Sequence, residues 1–164
     1  MIFETERLYV KRWEAEDLLA LYHLFNDEAI KEFLLPKLTI EDYTHIFEEQ
    51  INSYHDQLPF GRYFIVEKST DQIIGLLLVK KNENQSGVEI GYSLKKEHWN
   101  KGYATEIVEE SVNWLFAQKR FSHIYAVIET DNIGSQNVLL KCNFIRQENF
   151  IEDGKEMSLF ILKN

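Results

Sequence analysis

Hydrophobic and polar residues in the first third of the chain follow first a strand pattern and then two helix patterns. Residues 7–12 are typical of a strand, and residues 15–25 repeat apolar positions at helical spacing. A second helix of about four turns is predicted after Thr39, because its hydroxyl can cap the helix together with Asp42 three residues on. Its apolar stripe is Tyr43, Phe47, Ile51 and Tyr54.

The middle of the chain is predicted to form three strands and a long helix. Residues 63–68 and 73–80 are β-rich runs with a short connection, which predicts an antiparallel hairpin. A polar loop, residues 82–87, leads to a strand at 88–94. From Gly102 onward the apolar positions share one face of an amphipathic helix. These positions are Ala104, Ile107, Val108, Ser111, Val112, Leu115 and Phe116, with small Ser111 counted among them.

The last third of the chain predicts a strand at residues 124–128 and a short helix at 135–142. Residues 144–151 and 157–162 are predicted to pair as a hairpin. The resulting order, β-α-α-β-β-β-α-β-α-β-β, favours an α/β (α+β) fold with a mixed, largely antiparallel sheet over a doubly wound fold. Since no repeat, low-complexity tract or Pro/Gly-rich linker divides the chain, residues 1–164 are predicted to form a single domain.

Charge and cysteine content restrict the classes of partner. Eighteen basic and 27 acidic residues give a net charge of −9, which argues against nucleic acid as a partner because phosphate contacts need clustered Lys and Arg. The single Cys142 permits no internal disulfide and is expected to pack as a small apolar residue. The longest apolar run, residues 73–79, has strand length, and residues 1–12 lack a cationic and apolar leader. We therefore expect a cytoplasmic protein that does not enter a membrane.

Candidate chemistry lies at two places in the sequence. At the strand-to-helix junction, residues 99–105, Gly102 precedes a helix whose first amide groups have no helical partner, so a phosphate or pyrophosphate can bind there. A glycine also occurs at such junctions only to make the turn. In the second place, residues 132–144, Asn132 and Ser135 are alternative helix caps, and Asn143 suits the left-handed end of a helix.

Taken in order, these segments resemble the acetyl-coenzyme A binding core of the GNAT (Gcn5-related N-acetyltransferase) superfamily, particularly its ribosomal-protein N-terminal acetyltransferase (RimJ/RimL-like) branch. The resemblance covers nearly the whole chain. Residues 4–12 are similar to the first strand of that branch, residues 89–94 to its central cofactor-binding strand, and residues 101–106 to the end of its pyrophosphate loop. The matches to its next motif are Asn132, Ser135, Val138, Leu139, Lys141 and Phe144.

The resemblance implies a GNAT-like fold whose central sheet, flanked by helices, is split between its two central parallel strands, with the pantetheine arm of acetyl-CoA in the gap. Acetyl-CoA is then a cosubstrate, and no metal is expected. The residues implied to bind it are Ile90, Tyr92, Leu94, Asn100, Lys101, Gly102, Tyr103, Ala104, Thr105, Asn132 and Ser135. Asn100 and Asn143 stand where the family commonly has glycine, and asparagine is the next most tolerant residue of left-handed backbone.

Two residues are candidates for proton transfer. Strand alternation places Glu89 on the face opposite Val88 and Ile90, and its position resembles that of the glutamate base of some superfamily members. The alternative is an exposed strand carboxylate, and Glu129 is a second, weaker candidate base. Many relatives have a tyrosine acid where this chain has Leu139, so the resemblance assigns the proton-donating role to the Ser135 hydroxyl, which is equally suited to cap the helix.

The resemblance thus implies an acetyl-CoA-dependent N-acetyltransferase that moves an acetyl group directly to a primary amine. The resemblance implies an acceptor that is a protein N-terminal α-amine or a small-molecule amine, and a monomer or homodimer. Because Leu139 replaces the tyrosine, a noncatalytic acetyl-CoA-binding or sensing module is the alternative from another class.

Overall fold

The computed structural model describes residues 1–33, 39–81 and 87–164. Its strands are β1 (Phe3–Glu4), β2 (Leu8–Arg12), β3 (Gly61–Glu67), β4 (Gln72–Lys81), β5 (Gly87–Leu94), β6 (His123–Glu129), β7 (Ile145–Glu152) and β8 (Lys155–Lys163). Its helices are α1 (Leu18–Leu24), α2 (Glu28–Phe33), α3 (Ile40–Gln57), α4 (Tyr103–Ala117) and α5 (Ile133–Lys141), with 3₁₀ turns at Ala15–Asp17 and Lys96–His98.

The strands form one mixed sheet in the order β1-β2-β3-β4-β5-β6-β8-β7. Its pairs at both ends are antiparallel, whereas β5 and β6 pair in parallel. That parallel ladder joins Gly87, Val88 and Glu89 to His123, Ile124 and Tyr125 and continues no further along β5. The predicted mostly antiparallel sheet, flanked by helices and split between its central parallel strands, is confirmed.

The chain packs as two compact units. The first consists of residues 1–79 and 92–104, and the second of residues 80–91 and 105–164. The expectation that residues 1–164 act as a single domain stays a prediction. Among the described residues, no helix combines the length and the apolar character needed to cross a bilayer.

The core of the first unit lies between α3 and the hairpin of β3 and β4, which was predicted from the two β-rich runs. Tyr43, Phe47 and Tyr54 of the predicted helix stripe are buried, and the Phe47 ring stacks on Trp13 with centroids 5.3 Å apart. Burying such large rings removes much apolar surface from water, which stabilises the unit. Strand side chains of this unit with no exposed surface are Leu8, Val10, Tyr63, Phe64, Ile65, Ile74 and Leu77.

Helix α3 begins where the sequence predicts. The Asp42 amide donates to Thr39 Oγ1 at 3.2 Å, and the Thr39 amide donates to Asp42 Oδ2 at 2.7 Å, so the capping box is complete. The helix has 18 residues, one turn more than predicted. Helix α2 and strand β1 were not predicted, because elements of six and two residues carry too few periods to be recognised.

The core of the second unit is formed by α4, α5 and strands β6 and β8. Ile107, Val108 and Leu115 of the predicted α4 face are buried, as are Leu139 and Phe160. The predicted hairpin is formed by β7 and β8 and turns at Asp153 and Gly154, both with positive φ, a backbone conformation that suits Asp-Gly in a tight turn.

Cys142 packs in the second unit as predicted. It is 5% exposed, and burial raises the pKa of its thiol to about 11. The polar loop predicted at residues 82–87 falls mainly on residues 82–86, which lie outside the described residues.

Candidate active site

The junction between β5 and α4 is exposed and contains two residues with left-handed backbone. Asn100 has φ 59° and Gly102 has φ 82°, and both are exposed together with Lys101. Glycine adopts this conformation without steric cost and asparagine at a small one, so the local sequence explains the tight turn. The junction is therefore open to solvent and is not sealed by packed side chains.

An open helix start of this kind can hold an anion. Helix α4 begins at Tyr103, so the amides of its first turn have no partner within the helix and lie at the positive end of the macrodipole. Upstream, Trp99 Nε1 donates to the Leu94 carbonyl at 2.7 Å and holds the start of the turn against the end of β5. A diphosphate matches these backbone donors better than a neutral group does.

Tyr103, the first residue of α4, is tied to a buried carboxylate. Its hydroxyl donates to Glu67 Oε1 at 2.5 Å, and Thr70 Oγ1 donates to Glu67 Oε2 at 2.7 Å. These two hydrogen bonds, that of Tyr103 foremost, lower the pKa of Glu67 from its ordinary value. Glu67 is 9% exposed, so the first turn of α4 is fixed to the end of β3 by a buried, charge-assisted hydrogen bond.

Arg7 contacts the same junction from the bend between β1 and β2. Its Nη1 donates to the Lys101 carbonyl at 2.9 Å, and its Cζ lies 4.5 Å from the centroid of the Tyr103 ring, a cation–π distance. A Cβ added to Gly102 would lie 3.3 Å from Arg7 Nη2. The sequence pattern had placed Arg7 only at the start of a strand.

Glu89, the predicted base, lies on β5 in register with Tyr125 of β6. Its Oε1 is 2.9 Å from Lys80 Nζ, and its side chain is 16% exposed. The alternative, that Glu89 is an exposed strand carboxylate, is therefore wrong. Glu129, the second candidate base, ends β6 in an ion pair with Lys155 and is more exposed.

The other β5 residues that are predicted to bind the cosubstrate differ in their exposure. Ile90 and Leu94 are buried, and Tyr92 is partly exposed. Beyond Glu89 no pairing with β6 is recorded in the described residues, which is the segment that the resemblance assigns to the pantetheine arm.

Asn132 and Ser135 meet at the start of α5. Asn132 is the N-cap, because its Oδ1 accepts a hydrogen bond from the Ser135 amide at 3.0 Å. The alternative that Ser135 itself caps the helix is wrong, since Ser135 contributes a backbone donor from within the first turn. The Asn132 Nδ2 group takes no part in the cap. Leu139 on the same helix is fully buried.

A polar network that joins α5 to β7 and β8 was not predicted from the sequence. Gln136 Nε2 donates to the Thr130 carbonyl at 2.6 Å, and Arg146 donates to Gln136 Oε1 at 3.1 Å and to Ser158 Oγ at 3.0 Å. Gln136 and Ser158 are buried, so these bonds fix the turn that carries Asn132. No local pattern marks these residues, because the partners are distant in sequence.

Comparison with known proteins decides the family. A sequence model described as the acetyltransferase (GNAT) domain matches residues 7–145. The chain belongs to this family. The GNAT domain match includes β5, the junction, α4 and α5, and its N-terminal limit is Arg7 itself.

Curated relatives of this GNAT domain have names of the same kind. The chain is 28% identical over 155 residues to the uncharacterized N-acetyltransferase p20 of Bacillus licheniformis, covering 91% of this chain and 84% of that protein. It is 30% identical over 152 residues to the uncharacterized N-acetyltransferase YoaA of Bacillus subtilis, covering 89% of this chain and 84% of that protein.

Solved structures show the same GNAT fold. The ribosomal-protein-S5-alanine acetyltransferase from Vibrio fischeri superimposes with TM-score 0.82 at 19% identity, over 99% of this chain and 96% of that chain. The spermidine N-acetyltransferase from Vibrio cholerae, in complex with CoA and spermine, superimposes with TM-score 0.79 at 16% identity, over 96% of this chain and 95% of that chain.

Proposed function

We propose that this GNAT domain transfers an acetyl group from acetyl-CoA directly to a primary amine. The observation that carries the proposal is the open turn at Asn100–Gly102 before α4, where backbone donors and a helix N-terminus are presented to solvent. Acetyl-CoA supplies an acetyl group activated as a thioester. In the transfer the amine nitrogen bonds to the acetyl carbonyl carbon, the carbon–sulfur bond breaks, and the sulfur gains a proton as the nitrogen loses one.

For the cosubstrate, we assign the diphosphate to the junction and the pantetheine arm to β5. The amides of Gly102, Tyr103, Ala104 and Thr105 are the diphosphate donors, and exposed Lys101 adds positive charge. Tyr92 and the backbone of Ile90 and Leu94 receive the arm, since β5 extends beyond its ladder with β6. On α5, Asn132 Nδ2 is left by the cap as a donor for the arm.

For proton transfer, we assign Glu89 as the base and the Ser135 hydroxyl as the acid for the departing sulfur. Glu89 is mostly buried on the central strand, and Ser135 lies in the first turn of α5. Leu139 has no donor and is buried, so the proton must come from elsewhere on the chain or from water. A carboxylate and a hydroxyl, acting directly or through one water, are suited to these two roles.

Among acceptors, we place the α-amine of a protein N-terminus first. Its reference pKa of about 7.7 to 8.0 leaves a far larger neutral fraction at pH 7 than that of a lysine-like amine, about 10.4, so less is required of the base. The likeness to the ribosomal-protein acetyltransferase supports this choice. A polyamine is the second candidate, supported by the net charge of −9 and by the spermidine acetyltransferase neighbour.

Release of free thiol from acetyl-CoA tests the activity. Purified protein is incubated with acetyl-CoA and either peptides with a free N-terminal Ala or Ser or spermidine. The matched control is the same peptide with its α-amine already acetylated and no lysine. We expect turnover with the free peptide and none with the blocked one. CoA affinity by calorimetry without transfer to any amine would instead identify a sensing module.

Substitution of Glu89 and Ser135 tests their roles. We expect Glu89→Gln and Ser135→Ala to lower kcat by about 10²- to 10⁴-fold, the usual contribution of a positioned acid or base, with the Kd for CoA unchanged in calorimetry. Lys80→Gln is the matched control, because it breaks the same ion pair and keeps the carboxylate. Turnover at the wild-type rate in both site variants would remove the two assignments.

A further inference from the structure

Arg7, near the start of the chain, contacts the proposed diphosphate junction at Lys101 and Tyr103. It lies 94 residues away in sequence from Lys101, yet its Nη1 donates to the Lys101 carbonyl at 2.9 Å. Its own backbone is fixed as well, because the Lys68 amide donates to the Arg7 carbonyl at 2.9 Å. The Arg7 backbone is therefore fixed to the residue that follows β3, while its guanidinium contacts the loop.

The hydrogen bond from Arg7 acts on the peptide group that contains a proposed phosphate donor. The Lys101 carbonyl and the Gly102 N–H belong to one planar peptide unit, so fixing the oxygen also fixes the direction of the N–H. Donation from a cation to the carbonyl polarises the unit and makes its N–H a stronger donor. Gly102 has φ 82°, and without such a restraint glycine samples many other conformations.

The same guanidinium also restrains the next residue. Its Cζ lies 4.5 Å from the centroid of the Tyr103 ring, whose hydroxyl is bound by buried Glu67. Tyr103 is thus held at its face by a cation and at its hydroxyl by an anion. The peptide unit before Gly102 and the side chain after it are consequently restrained before any ligand arrives.

We propose that Arg7 is a positioning residue for the cosubstrate: it orients the Lys101–Gly102 peptide unit, with Tyr103 and Glu67 as its support, so that the turn is preorganised for the diphosphate of CoA. This inference rests on the proposed function, because it concerns the same junction. Preorganisation lowers the conformational cost of binding, so its loss should weaken CoA affinity without removing any proposed diphosphate donor.

Calorimetry with CoA on wild type, Arg7→Gln and Arg12→Gln tests the proposal. Arg12 is the matched control, because it also stacks on a tyrosine, Tyr54, at 5.5 Å. We expect the Kd for CoA to rise about tenfold in Arg7→Gln, as for the loss of one charge-assisted hydrogen bond, and to change less than about twofold in Arg12→Gln. If Arg7→Gln does not fold, Arg7→Lys gives the same comparison, since lysine keeps the charge and loses the planar fork.

Glycine-selective ¹⁵N labelling distinguishes a failure of the Arg7 inference from a failure of the proposed function. The chain has seven glycines, so the Gly102 amide signal can be assigned and followed as CoA is added. A Gly102 signal that shifts in wild type, together with the difference between the two arginine variants, supports the inference. Equal affinity in wild type and Arg7→Gln, or equal weakening in both variants, overturns it. Absence of CoA binding in wild type overturns the proposed function itself.

Discussion

Glu67 shows how a buried carboxylate can be stable within an apolar strand. A buried charge is costly unless it is hydrogen-bonded, and both oxygens of Glu67 are engaged, one by Tyr103 and one by Thr70. Neither partner is a cation, so the carboxylate is stabilised mainly by hydroxyl donors. The hydrogen bond between Tyr103 and Glu67 therefore makes the stability of the first unit depend on pH, and it also fixes the start of α4.

Removal of the Tyr103 hydroxyl should change the acid sensitivity of the protein. Because the folded pKa of Glu67 is lowered, its contribution to stability is present above its ordinary pKa of 4.5 and is lost as pH falls from there through the folded pKa. Tyr103→Phe should thus unfold at a lower urea concentration than wild type at pH 7. The difference between the urea midpoints of wild type and Tyr103→Phe should become smaller below pH 4.5.

Tyr63→Phe is the control for this comparison. The Tyr63 hydroxyl is also buried, but it donates to the neutral Pro59 carbonyl at 2.7 Å, so its loss should destabilise by a similar amount at every pH. Urea unfolding at pH 7, 5 and 3.5 measures both variants. A gap for Tyr103→Phe that is constant over this range would show that Glu67 is not the group concerned.

At the scale of elements, the starts and ends of helices are set by residues that are close in the sequence. Thr39 begins α3, Asn132 begins α5, and Asn143 follows the end of α5 with φ 64°. Each of these effects involves residues within four positions of one another, so the sequence contains the whole interaction. The starting point of α5 was nevertheless predicted two residues late, because Asn132 and Ser135 are both good caps and only one can be used.

Loss of the cap should destabilise α3. We expect Thr39→Ala to lower the free energy of unfolding by about 1 kcal/mol, the usual cost of removing a threonine N-cap, and Thr39→Ser to be close to wild type because it keeps the hydroxyl. Helix content and chemical unfolding measure the two variants. If Thr39→Ser loses as much stability as Thr39→Ala, the capping hydrogen bond to the Asp42 amide is not the cause.

At the scale of the whole molecule, the net charge of the protein has the same sign as the charge of CoA, the proposed ligand. The protein has a net charge of −9 and CoA is an anion, so the average field opposes their association. The junction differs from this average, since Arg7 and Lys101 lie at it. Exposed Lys101 and the backbone donors that Arg7 orients, and not the net charge, must therefore account for the affinity that we propose.

The sequence by itself determined the longer elements and the order of the motifs, because helical and strand periodicity, caps and tight turns are interactions between near neighbours; the short α2 and β1 were not predicted. By resemblance to a known family it also predicts Glu89, Gly102, Asn132 and Ser135 as site residues. Only the tertiary structure decided which side chains support them. The Lys80 partner of Glu89, the buried Glu67 beneath Tyr103 and the contact of Arg7 with Lys101 join residues that are not neighbours in the sequence. Such contacts depend on how strands pair and helices pack, and no local pattern contains that information.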